Sequence, residues 1–219
     1  MTTEPIFKLI QAVEDADSPL KLLRSVQALA AQNHEAAIPV LIRVLGYNNP
    51  GAAVAAVEGL VVLGAAAVPA LLDHLDGYNY GARAWAIRAL SRIGDPRALD
   101  TLSAAACQDF ALSVRRAAAK GLGSVNWRSL PDLERRQRQQ ETCTTLLQVC
   151  KDPEWVVRYA AVVGLESLLQ AIAPTNPGLE REAQQTLRTL GQTDPVLTIR
   201  ARSQYALQTL DTLQVAANC

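Results

Sequence analysis

The stretch Tyr80–Leu102, YGARAWAIRALSRIGDPRALDTL, decides the fold, because it shows in full a unit that the rest of the chain repeats with decay. Arg83, Ala86, Ala89 and Leu90 stand at offsets of zero, three, six and seven. At about 3.6 residues per turn those offsets put the small residues and the leucine on one helical face, where a neighbouring helix can approach closely and bury the leucine. Gly94-Asp95-Pro96 then stops that helix and starts the next. Gly suits a left-handed cap, Asp can accept from free amides at the following N-terminus, and Pro is tolerated in a first helical turn. The unit is a helical hairpin.

Sliding this unit along the chain finds it again. The terminal leucine recurs as Leu29, Leu60, Leu90, Leu122, Leu165 and Leu207, each behind a small residue: Ala28, Gly59, Ala89, Gly121, Gly164 and Ala206. Four residues before each leucine stand Ser25, Ala56, Ala86, Ala118, Ala161 and Ser203, and seven before it four of the six copies carry Arg: Arg83, Arg115, Arg158 and Arg200. The leucines are spaced by 31, 30, 32, 43 and 42 residues, a hairpin-sized period that lengthens after Leu122. The expectation is a single all-α domain over residues 1–219, an α-α superhelix of about five hairpins with terminal caps, in which each hairpin contacts mainly its neighbours.

Pro5–Ala16 reads as a short capping helix with Ile6, Leu9, Ile10 and Val13 on one face. Ser18-Pro19 opens the first hairpin, and GYNNPG at 46–51 is the turn into a second built almost wholly of Ala, Val, Leu and Gly. Only Glu58 and Asp73 are charged between Gly51 and Leu75, so this hairpin is expected to be the most buried. A long polar helix is expected from about Asp132 to Val149, its ERRQRQQE run being a solvated face. The final half repeat starts at Asp194.

Composition narrows the function. The chain is 49% hydrophobic, enough for a continuous core, and its formal net charge is zero, which argues against a nucleic-acid surface or a polybasic membrane anchor. The apolar run around Val54–Leu72 is broken by Glu58, glycines and Pro69, so no membrane insertion is expected. Cys107, Cys143, Cys150 and Cys219 form no CxxC, and together with the missing signal peptide they indicate a reduced, cytoplasmic compartment. Cys143 and Cys150 read as buried small hydrophobes. His34 and His74 lie in different repeats, no metal-ligand spacing appears, and no P-loop, nucleophile elbow or zinc-protease motif is present. Arg115 and Arg200 are expected to tie one repeat to the next through a carboxylate or helix-end carbonyls.

Aromatic residues are scarce, yet Tyr78, Tyr80 and Trp85 cluster in one unit and Trp155 and Tyr159 in another, beside Arg83 and Arg158. Such groups could form a platform for a flat conjugated ligand bearing carboxylates, the rings stacking and the guanidinium groups pairing with the acid.

The segments YNNPGAAVAAVEGL, LDGYNYGARAWAIRALSRIGDPRALDTL, DFALSVRRAAAKGLG and WVVRYAAVVGLESL resemble the E/F-type phycocyanobilin lyase family of HEAT-like repeat proteins, over roughly residues 4–210. The resemblance implies the F-type half of a heterodimer with an E-type lyase subunit. It also implies a substrate protein, the phycocyanin α subunit, and phycocyanobilin as a substrate with no resident cofactor. It further implies that Tyr78, Tyr80, Trp85, Trp155 and Tyr159 orient the tetrapyrrole, that Arg83 and Arg158 meet its propionates, and that Asp109 partners the ring nitrogens. A phycobilisome-degradation role, which binds phycobiliprotein or detaches chromophore, and a non-catalytic protein-binding scaffold are the alternatives.

Overall fold

A computed structural model describes residues 4–75, 79–172 and 177–217. Twelve α-helices joined by short turns make up the described chain, and no strand occurs among the described residues. The chain divides into two compact units, Met1–Ala98 and Leu99–Cys219. The boundary falls just after the Gly94-Asp95-Pro96 turn.

The first unit holds α1 (Glu4–Glu14), α2 (Pro19–Ala30), α3 (Ile38–Val44), α4 (Pro50–Leu63), α5 (Val68–Asp73) and α6 (Tyr80–Ile93). Helices α2, α4 and α6 pack side by side in one layer, with α3 and α5 behind them. The start of each front-layer helix is fixed by a small polar side chain. Ser18 accepts the Lys21 N–H at 3.3 Å, Asn49 the Ala52 N–H at 3.0 Å and Asn79 the Ala82 N–H at 3.0 Å. Each cap lies eleven residues before its anchor, Leu29, Leu60 or Leu90, and all three leucines are fully buried. The Gly94-Asp95-Pro96 turn forms as its residues dictate. Gly94 is left-handed at φ 69°, Asp95 accepts the Arg97 N–H at 2.9 Å, and Arg97 reaches back to the Ala65 carbonyl at 2.8 Å.

The second hairpin departs from expectation. Helix α4 buries Ala52, Ala53, Ala56, Val57 and Leu60, but Val54 and Val62 remain 47% and 63% exposed. An apolar sequence with no polar stripe does not announce which side is left open, and here one side faces a groove rather than a neighbouring helix. Elsewhere on α4 Gly59 meets α2, where an added Cβ would stand 2.7 Å from the Ala30 Cβ.

The second unit holds α7 (Leu99–Gln108), α8 (Leu112–Leu122), α9 (Asp132–Val149), α10 (Trp155–Ile172), α11 (Pro177–Thr193) and α12 (Leu197–Ala217). Helices α8, α10 and α12 form one layer and α7, α9 and α11 the other. The polar run of α9 faces solvent apart from buried Gln139, with Arg138 bridging Asp100 at 2.8 Å and Glu141 at 2.9 Å. Helix α10 is long and apolar enough to cross a bilayer by composition alone, yet its apolar side chains fill this unit's core: Val157, Ala160, Ala161, Val162, Leu165, Leu168 and Leu169 are buried. Leu122 and Leu165 are fully buried, whereas Leu207, in the last front-layer helix, is only half-buried. Helices α8 and α10 approach so closely that a Cβ placed on Gly164 would overlap the Ala119 carbonyl oxygen.

Gly164→Ala should therefore lower the unfolding free energy by about 1–3 kcal/mol, because the clash is with backbone that cannot rotate away. Gly51→Ala, whose Cβ would find the nearest atom at 3.5 Å, is the control and should change it by less than about 0.5 kcal/mol in the same urea titration.

Candidate functional site

The feature that organises the second unit is a chain of arginines and aspartates. Asp109, Asp152 and Asp194 each lie six residues before an arginine and thirteen before a leucine anchor. Each aspartate folds its own turn: Oδ1 accepts the N–H two residues on, from Ala111, Glu154 and Val196, at 2.8, 2.8 and 2.9 Å. Each arginine locks that turn by donating Nη1 to the aspartate's carbonyl, Arg115 at 2.9 Å, Arg158 at 2.9 Å and Arg200 at 2.8 Å. In the first two copies the rest of the guanidinium reaches forward. Arg115 Nε meets Asp152 Oδ2 at 2.8 Å with Nη2 at 3.3 Å from Oδ1, and Arg158 repeats this on Asp194 at 2.8 and 3.0 Å.

This geometry gives two of the site residues expected from sequence a different job. Arg158 is engaged in bracing, since both forward donors hold Asp194 and its side chain is only 11% exposed. It has no free donor edge for a propionate. Asp109 is a turn-former of the same kind as Asp152 and Asp194, which is the job its spacing sets. Arg115 braces as expected, while Arg200 donates to the carbonyls of Asp194 and Pro195.

The expected ring platform divides between the two units. In the first, Tyr80 is the exposed first residue of α6, and half-buried Trp85 carries the Arg88 guanidinium 4.4 Å from its ring centroid; Arg83 is half-buried on the same helix. Tyr78 lies outside the described residues. In the second, Trp155 opens α10 at 45% exposure and Tyr159 follows one turn later. Tyr159 has a partner that sequence reading missed. Arg202 of α12 lies 6.0 Å from the Tyr159 ring and 5.4 Å from that of Tyr205, and it is ion-paired with the buried Glu166. The spacing of Arg202 and Tyr205 along α12 was the available signal, but only the packing of α12 on α10 brings them to Tyr159.

No described thiol is prepared for nucleophilic work. Burial pushes Cys143 and Cys150 up to about 12, and burial followed by the Asp152 charge raises Cys107. His34 caps a short helical turn by accepting the Ala36 N–H at 3.1 Å, and His74 sits 2.8 Å from the Ala70 carbonyl at the end of α5. No group of three His, Cys, Asp or Glu side chains capable of holding a metal occurs among the described residues. The groove between α2 and α4, about 370 Å³, is lined by Ala30, Val54, Ala55 and Val62 with Gln27 and Glu58 at its polar edge. Among the described residues no cation lines it, so it offers no partner to a carboxylate.

HEAT-repeat models match residues 68–139 and 143–172. The "Phycocyanin alpha phycocyanobilin lyase CpcF" of Synechocystis sp. is 61% identical over 168 residues, covering 77% of this chain and 78% of that protein. The "Phycocyanobilin lyase subunit beta" of Pseudanabaena tenuis is 56% identical over 209 residues, covering 95% of this chain and 74% of that protein. The chain belongs to the phycocyanobilin lyase beta-subunit, or F-type, family. Its fold agrees with that of a solved family structure, the complex of CpcE and CpcF of phycocyanin lyase from Nostoc sp. PCC7120. The two match with a TM-score of 0.75 and 48% identity over 80% of this chain and 99% of the other. In this member of the lyase family the arginine-aspartate chain supplies the frame, and the exposed rings at the helix starts supply surface.

Burial opposes the Asp194 carboxylate, but hydrogen bonds from Arg158 and the Val196 N–H, with the Arg158 and Arg200 charges, outweigh it and hold its pKa below the ordinary range. A depressed carboxyl contributes stability above the unfolded value, about pH 4, and loses it as pH falls through the folded value. Asp194→Asn should cost about 3–5 kcal/mol at neutral pH, and the gap to the parent should close on acidification in urea titrations taken from pH 7 downward. In a brief maleimide pulse at pH 8 followed by peptide mass spectrometry, Cys143 and Cys150 of the folded chain should stay unlabelled and become labelled in urea.

Proposed function

We propose that this chain is the F-type half of a heterodimeric bilin lyase, active with an E-type subunit, that attaches phycocyanobilin to a cysteine of the phycocyanin α subunit. The observation that carries this reading is the 61% identity to a protein named for that activity. The absence of an activated thiol among the described residues fits the same division of labour. On this reading the nucleophile belongs to the substrate protein.

The reaction is an addition. The substrate cysteine's sulfur bonds to the exocyclic carbon of the bilin's ethylidene group, the double-bond electrons shift to the adjoining ring carbon, and the thiol proton ends there. Nothing is oxidised and no group leaves. What the lyase must contribute is a fixed bilin conformation and the approach of the thiol, and holding reactants in place accounts for a large part of such a barrier. A rigid helical repeat with ring-bearing helix starts suits that task better than it suits acid-base catalysis. Phycocyanobilin enters as a substrate, with no resident cofactor, and a reducing cytoplasm keeps the acceptor cysteine a thiol. Trp155 and Tyr159 orient the tetrapyrrole in the second unit, and Tyr80 and Trp85 offer ring surface in the first.

The test is reconstitution of this chain, its E-type partner, phycocyanobilin and apo phycocyanin α subunit, with covalent pigment read by zinc-enhanced fluorescence after denaturing electrophoresis. Pigment is expected only when both subunits are present, and Trp155→Ala should lower the yield about tenfold or more, in keeping with one lost ring contact in the bound state. Covalent pigment with the E-type subunit alone would sink the reading.

A further inference from the structure

The seam between α10 and α12 carries a cluster that the frame of the second unit does not require. Arg202 and Tyr205 of α12 stand five and two residues before the Leu207 anchor. The same positions hold Ala117 and Lys120 in α8 and Ala160 and Val163 in α10, and those two helices pack together without a ring there. Arg202 lies in the seam. Its guanidinium is 5.4 Å from the Tyr205 ring centroid and 6.0 Å from that of Tyr159, and it is ion-paired with Glu166 of α10. Trp155 and Tyr159 are four apart on α10 and so share a helical face, which brings a third ring to the same side of that helix. Aromatic residues make up 5% of the chain, so three around one seam is a local concentration.

Stability alone does not account for the ion pair. Arg202 Nη1 is buried with no hydrogen-bond partner among the described residues. A buried pair with an unmet donor stabilises a fold little more than apolar side chains of the same size would, and what it adds is a fixed orientation. Here the groups held are rings with open surface: Tyr205 is 60% exposed and Tyr159 half-buried, one turn from exposed Trp155. We infer that Trp155, Tyr159 and Tyr205 together form the seat of the tetrapyrrole in this unit, and that Arg202, tied to Glu166, is the positioning residue that sets the angle of the two tyrosine rings. Stacking on a flat conjugated ligand needs ring faces presented at fixed angles, which a cation held against two of them provides. Arg202 is itself largely buried, so it acts through the rings and not as a receptor for the propionates. A helical protein partner is a poorer occupant, since aliphatic side chains serve it as well and need no charge to set their angle.

The inference rests on the lyase reading and adds Tyr205 as a ligand contact and Arg202 as its support. The full chain, paired with its E-type subunit, is titrated with phycocyanobilin. Two quantities are followed: the affinity, and the ratio of red to near-ultraviolet absorption of the bound pigment, which reports how extended the conjugated system is held. Tyr205→Leu should weaken binding about tenfold and Tyr205→Phe by less than about twofold, because the ring carries the contact. Arg202→Gln should keep the affinity within about threefold but shift the absorption ratio toward that of pigment in solution, and Arg202→Lys, which retains the charge, should recover part of the shift. Tyr205 is exposed, so its variants decide the matter whatever the Arg202 variants do to stability. A Tyr205→Leu pair with parental affinity overturns the inference, and so does one that has lost its E-type subunit, since the ring would then serve a protein surface. An Arg202→Gln pair with the parental absorption ratio overturns the positioning role. Reconstituted attachment tests the lyase reading separately: a parent pair that attaches pigment while Tyr205→Leu binds it normally sinks this inference alone, and a parent pair that neither binds nor attaches pigment sinks both.

Discussion

One contact recurs and sets the rest of the second unit: a guanidinium that closes its own turn with one nitrogen and grips the next repeat's aspartate with the others. It solves two problems at once. The aspartate carboxylate satisfies an amide at the start of a helix, and the arginine satisfies the carbonyls just before it, so a tight turn carries few unmet polar groups. The forward grip then fixes the rotation of each front-layer helix on the next. Because Asp194 is only 3% exposed on its side chain, the arrangement tolerates loss of neither partner, which is how a buried pair imposes geometry even where its net contribution to stability is modest.

The first unit reaches the same layer arrangement by other means. Its front helices begin at Ser18, Asn49 and Asn79, neutral caps that each satisfy an amide at the helix start. Contact between α2 and α4 relies on small residues such as Gly59 against Ala30. An outcome of that choice is the open apolar side of α4, since a helix of Ala, Val, Leu and Gly packs equally well through several faces and nothing polar marks which one stays bare. The second unit, by contrast, has its front helices tied in register by charge.

The same division explains what this frame offers chemically. Two of the described thiols are spent on packing: Cys143 and Cys150 are buried in the core and resist ionisation. In the second unit Arg115, Arg158 and Arg202 are held by carboxylates. What remains at the surface is a set of aromatic and aliphatic side chains on rigid supports, a composition suited to holding a conjugated molecule in one conformation.

The sequence by itself determined the repeat, its period, the buried leucines from Leu29 to Leu165, the Gly94-Asp95-Pro96 turn and the solvated face of α9. All of these follow from local spacing and from residues with few conformational options. It also carried the family resemblance, in segments such as WVVRYA, that identity to named lyases later matched. Tertiary structure alone decided which arginines are engaged. Arg115 and Arg158 occupy one repeat position, and each donates to an aspartate 37 or 36 residues on at 2.8 Å, a contact set by packing across that length of chain. The pairing of Arg202 with Glu166 and Tyr159, and the half-exposure of Leu207 in the last front-layer helix, were hidden for the same reason: burial depends on the next helix, and spacing within one helix does not specify it.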